Sequence, residues 1–87
     1  MPTGALTVHI IDFTFTPARI SVPVGTTVTV VNDDEAVHDW TSQSGVWRSG
    51  DLQRGQSFSF TFRTAGTFEF LCTIHPSMTG SVTVTSS

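Results

Sequence analysis

Residues 57–72 read SFSFTFRTAGTFEFLC, and two aromatic ladders run through them. Phe58, Phe60 and Phe62 alternate with Ser57, Ser59, Thr61 and Arg63. Beyond the turn Thr64-Ala65-Gly66-Thr67, the residues Phe68, Phe70 and Cys72 share one parity. A period of two is the mark of a strand with one face buried. The same alternation recurs outward in both directions. Leu6, Val8 and Ile10 alternate with Thr7 and His9. Ile20, Val22 and Val24 are punctuated by Pro23 and Gly25. Val28 and Val30 alternate with Thr27 and Thr29 and end at Asn32-Asp33-Asp34, and Val82 and Val84 alternate with Ser81, Thr83 and Thr85. Six or so short strands rich in Val, Thr and Phe, separated by Gly-containing turns, predict an all-β chain folded as an antiparallel-rich sandwich or barrel. No segment has the 3.6 period of a helix. Residues 42–56, SQSGVWRSGDLQRGQ, are the longest irregular connection.

With 87 residues, 38% of them hydrophobic and 13% charged, the chain is expected to form one globular domain over 1–87. It has no internal repeat and no linker. Its apolar runs are too short for a membrane span, and no basic, apolar leader opens it, so an export signal or anchor is expected only in a precursor. A net charge of −3, with four Arg and no Lys, excludes a phosphate-binding face and hence nucleic acid. A single Cys excludes an internal disulfide, leaving a thiol that is inert and buried, reactive, or bound to a metal.

That thiol stands in residues 71–80, LCTIHPSMTG, where Cys72, His75 and Met78 fall within seven residues. Strand parity turns Cys72 inward at the end of its strand. His75 and Met78 follow on the exit loop, and Gly80 is expected to let the chain turn into the last strand. Two-residue gaps allow a tight turn to aim all three side chains at one point. The missing ligand is His9 or His38. His9 has solvent-facing parity, whereas His38 follows the acidic turn at a strand end, and strand ends cluster in a sandwich. His38, Cys72, His75 and Met78 form the set of two imidazoles, one thiolate and a weak thioether that suits a blue-copper electron-transfer centre. Zinc gains little from a thioether. Four protein ligands leave no position for a substrate, so no catalytic residues are expected.

At this level the sequence resembles the cupredoxins, small β-sandwich copper proteins of the plastocyanin, pseudoazurin and amicyanin group. The resemblance rests on FTFTPARISVPVGTTVTVVNDD, then His38, SGDLQRGQSFSFTF, AGTFEFLCTIHPSM and GSVTV, which cover nearly the whole chain. The short C-x-x-H-x-x-M loop with Pro76 is most similar to that of amicyanin. The resemblance implies a Greek-key sandwich and one type 1 copper held by His38, Cys72, His75 and Met78. It also implies outer-sphere electron transfer by a monomer, and a redox partner docking on an apolar patch around His75, Ile74, Pro76 and Val37. The periplasm or the extracellular space is the implied location, with a membrane anchor an option for the precursor. Where the family often carries Asn after the first histidine, this chain has Asp39. As a carboxylate Asp39 can only accept hydrogen bonds, from Thr73 or a backbone N–H, and its charge should favour Cu(II). Trp40 is expected to pack inward, and Trp47 to be a surface contact or a lid on the core. The run Asp33-Asp34-Glu35 reads as a solvated turn or as a patch that steers a basic partner. The competing readings are a domain of a larger copper redox enzyme, a copper-binding module that does not cycle, and a structural domain with an inert thiol.

Overall fold

The computed structural model describes residues 5–86 and contains eight strands and no helix among them. They are β1 (Ala5–Ile11), β2 (Thr14–Thr16), β3 (Arg19–Pro23), β4 (Thr26–Asn32), β5 (Thr41–Ser42), β6 (Ser57–Phe62), β7 (Gly66–Leu71) and β8 (Thr79–Thr85). One sheet has the order β2-β1-β4-β6 and the other β3-β8-β7-β5, so the chain crosses between layers repeatedly. The result is the expected β-sandwich. No helix among the described residues is long and apolar enough to cross a membrane.

The period-two pattern sets the register. Thr26, Val28, Val30 and Asn32 of β4 are buried while Thr27, Thr29 and Val31 are only half-buried. Val28 and Val30 pair with Phe60 and Phe58 of β6 on one side, and with Leu6 and Val8 of β1 on the other. On the outer face, the Thr27 and Thr61 hydroxyls lie 2.8 Å apart, and those of Thr29 and Ser59 2.7 Å apart. These polar residues thus form cross-strand hydrogen bonds rather than idle exposure. Four of the six strand pairings are antiparallel; β1–β4 and β3–β8 are parallel. β2 and β5 are too short for the alternation to reveal them.

Trp40 is fully buried and Trp47 nearly so. Their ring centroids lie 4.8 Å apart, and Trp47 stacks on Phe60 at 5.3 Å. Trp47 is therefore the lid on the core, folded down by the long connection that carries it. That connection is held by backbone bridges from Thr41 to Arg48 and from His38 to Leu52.

Gly80 has a different role from the expected turn. It lies inside β8, and a Cβ there would collide with the Ala18 carbonyl oxygen and come within 2.6 Å of the Phe70 ring. Glycine is required by the close approach of the Ala18 backbone, whose carbonyl accepts from Ser81 N–H. Gly80→Ala is expected to cost about 1–3 kcal/mol of unfolding free energy, the usual range for overpacking. Chemical denaturation of the wild type and variant checks this.

Candidate metal centre

The centre lies where β4 and β7 end. After β4 the chain makes an acidic turn and re-enters the sandwich at residues 38–40, all buried. A two-way backbone bridge, His38 N–H to Leu52 C=O and Leu52 N–H to His38 C=O, fixes the His38 main chain. The buried Asn32 amide donates to the carbonyls of Ala36 and Leu52, locking the turn beneath it. β7 then delivers Cys72, fully buried, as its parity predicts.

The Cys72 Sγ lies 3.7 Å from His38 Nδ1. Bonds of about 2.3 Å to sulfur and about 2.0 Å to nitrogen, meeting at a trigonal angle, would separate two such ligands by about 3.7 Å. The pair therefore fits one common metal ion. His38 Nε2 lies 2.9 Å from Asp34 Oδ2. A proton on Nε2 donated to this carboxylate leaves Nδ1 as a lone pair facing the thiol, the tautomer a metal ligand needs. Asp39 N–H points at Sγ at 3.4 Å, a donor that stabilises a thiolate.

The exit loop is closed by Met78 N–H to His75 C=O and Cys72 N–H to Met78 C=O. It brings the His75 ring to 5.1 Å from that of His38 and leaves Met78 buried. Among the described residues no three His, Cys, Asp or Glu side chains form a ready metal cluster; the tight contact is the pair His38–Cys72, with His75 ring-to-ring beside His38. His9 lies outside the centre. It is exposed on β1 and hydrogen-bonded to Asp33.

Asp39 is buried, not an exposed loop residue. Its carboxylate accepts from both Thr73 N–H (2.7 Å) and the Thr73 hydroxyl, and from the Thr41 hydroxyl at 3.3 Å. It thus ties the His38 segment to the Cys72 loop by acceptance alone.

Two residues escaped the sequence reading. Asp34, read as part of a solvated turn or of a patch that steers a partner, contacts His38. Phe13, at the β1–β2 turn, places its ring 5.0 Å from His38 and 4.7 Å from His75. An aromatic residue just after a strand carried no periodic signal. The neighbouring acids are individually engaged: Asp33 with His9, and Glu35 with Arg54 in an exposed pair at 3.6 Å.

The hydrogen bond from Phe13 N–H, aided by those from His38 and Asp12 and opposed by desolvation, holds the Asp34 carboxyl below its ordinary value of 3.8. A depressed carboxyl adds stability above its unfolded value and loses it as pH falls through the lower folded one. The metal-free protein should therefore lose stability on acidification below 3.8. Asp34→Asn should remove part of that acid dependence, as urea melts along a pH series would read.

The cupredoxin-like domain family matches residues 2–84. The amicyanin of Paracoccus denitrificans is 35% identical over 86 residues, which span 93% of this chain and 66% of that protein. A solved amicyanin variant in its Cu(I) form superposes with a TM-score of 0.88 at 31% identity, covering 93% of this chain and 82% of that one. A copper-containing nitrite reductase from Thermus scotoductus also reaches a TM-score of 0.88, at 28% identity, over 94% of this chain but only 22% of its own. With its sandwich, its buried His38–Cys72 pair and these matches, the chain belongs to the cupredoxin-like family.

Proposed function

We infer that this protein is a type 1 copper electron carrier, folded as a single domain over 1–87, with one copper ion held by His38, Cys72, His75 and Met78. The observation that carries the reading is the buried thiol 3.7 Å from a buried imidazole nitrogen, with the other nitrogen of that ring engaged by Asp34. Copper bound there supplies a one-electron Cu(II)/Cu(I) couple, for which thiolate and thioether suit the reduced ion and imidazole the oxidised one. The protein's contribution is to hold its ligands still. His38 is fixed by the Leu52 bridge and Asp34. Cys72 is fixed by β7 and the Asp39 N–H. The loop bonds through Met78 and His75 close the remaining side.

Electrons enter and leave beside His75, which is half-buried at the surface. Around it Ile74 is 42% and Phe13 50% exposed, with exposed Pro76 and half-buried Val37 nearby. Large exposed apolar side chains clustered at one end are suited to brief docking of a redox partner protein. The molecule acts as a monomer in the periplasm or outside the cell, and it is no enzyme, because four side-chain ligands leave no place for a substrate. The nitrite reductase match favours one second reading, in which such a domain serves inside a larger copper enzyme.

Adding Cu(II) to the metal-free protein should produce an intense thiolate-to-copper absorption that bleaches with one electron and returns on reoxidation. Cys72→Ser should abolish it. A colourless product, or a band that survives Cys72→Ser, would refute the assignment. Asp39→Asn removes a buried negative charge close to the ion, so it should raise the reduction potential, read by voltammetry. An unchanged potential would show that Asp39 only ties the loops together.

A further inference from the structure

We propose that Asp34 is the positioning residue of this centre: a single carboxylate that orients His38 and, through the Asp12–Phe13 turn, holds the Phe13 ring as a shield across both histidines. The proposal rests on the reading of His38 and His75 as copper ligands. Asp34 Oδ2 accepts from His38 Nε2 and from Phe13 N–H, both at 2.9 Å, and Oδ1 accepts from Asp12 N–H at 3.1 Å. Its own N–H donates to Asn32 Oδ1 at 2.8 Å, which anchors it to the end of β4. Three donors from two separate segments thus converge on one side chain. An amide could not replace it, since Asn offers one acceptor oxygen and would turn an NH2 toward a donor.

The turn itself is the second observation. Ile11 pairs with Thr14 across a two-residue loop, and both central residues have positive φ, 51° at Asp12 and 58° at Phe13. Asn-Gly would close such a turn without strain. A bulky Phe takes that conformation only where its surroundings over-determine it. Here the surroundings are the two N–H bonds to Asp34. What the strained turn achieves is the position of one ring. Phe13 meets His38 at 90° and His75 at 84°, edge-on to both, and with the His38–His75 contact the three rings close a triangle. Phe13 is half exposed and contributes nothing to the buried core. Its partners are the two imidazoles. An apolar ring so placed keeps water and small anions from the histidine side of the centre, and this keeps a carrier site closed to outside ligands.

The test compares wild type, Asp34→Asn, Asp34→Ala and Phe13→Ala. In the metal-free proteins, nitrogen-15 NMR of the imidazoles reports the His38 tautomer, and nuclear Overhauser effects report the Phe13 ring against His38 and His75. In the copper-loaded proteins, azide is titrated and followed by absorption. The wild type should show a single Nε2–H tautomer, both ring contacts, and no response to azide. Both Asp34 variants should lose the single tautomer and the ring contacts, and bind copper about 10–100-fold more weakly, the usual effect of removing a carboxylate behind a ligating histidine. Phe13→Ala should keep the tautomer yet admit azide. If Asp34→Ala does not fold, Asp34→Asn decides. Retention of the tautomer and ring contacts in the Asp34 variants, or azide exclusion by Phe13→Ala, would overturn the proposal. Failure of the wild type to bind copper would refute the ligand reading, while the NMR comparison would still decide whether Asp34 holds His38 and the Phe13 ring in place.

Discussion

The tie between Asp39 and the Cys72–Thr73 step is the interaction on which the rest of this molecule depends. A sandwich has two sheets that meet only through side chains, and here the prospective ligands come from opposite sides of that divide. His38 follows β4 of one sheet; Cys72 follows β7 of the other. Asp39 spans the gap twice, through its N–H to Sγ and through its carboxylate to both donors of Thr73. That bridge adds directional bonds at the ligands themselves to the pairing of Thr41 with Leu71 farther along the two segments. Apolar packing is non-directional and could not set the 3.7 Å between thiol and imidazole. Directional bonds set an angle and a distance, and a metal whose two oxidation states prefer different geometries needs both to be set.

The surrounding structure supports this tie in layers. Leu52 pins the His38 backbone, Asn32 pins the turn that leads to it, and Asp34 engages the far nitrogen of the ring. Beneath lies an aromatic floor in which Trp40, directly after Asp39, packs on Trp47, Phe62 and Phe70. A floor of wide, rigid rings limits the small shifts that a core of flexible side chains would permit. The long connection after β5 earns its length by carrying both Trp47 into that floor and Leu52 to His38.

Much of this was legible in the chain. The alternation around Phe58–Phe62 and Phe68–Cys72 is strong because each strand buries one face, so parity alone turned Cys72 inward. The strand-end position of His38 and the outward parity of His9 set the two histidines apart, and the structure has His38 buried and His9 exposed. What was hidden has a common cause. Parallel pairing of β1 with β4 and β3 with β8 is non-local and leaves no pattern in either strand. β2 and β5, three and two residues long, are shorter than any period can register. Gly80 looked like a turn residue because glycine is usually explained by its own backbone; here the reason is the Ala18 carbonyl, from the connection between β2 and β3. Asp34 and Phe13 belong to turns that meet only in three dimensions. An acidic run after a strand reads as solvated until the N–H groups facing it are known.

In the function proposed for it, the protein holds its ligand set fixed so that copper can change valence without rearrangement. X-ray absorption spectroscopy at the copper edge, on the oxidised and the reduced protein, tests it most directly. A fixed site should give one short copper–sulfur and two copper–nitrogen distances in both states, with no change in ligand number. Loss of a nitrogen or the sulfur ligand on reduction would contradict it.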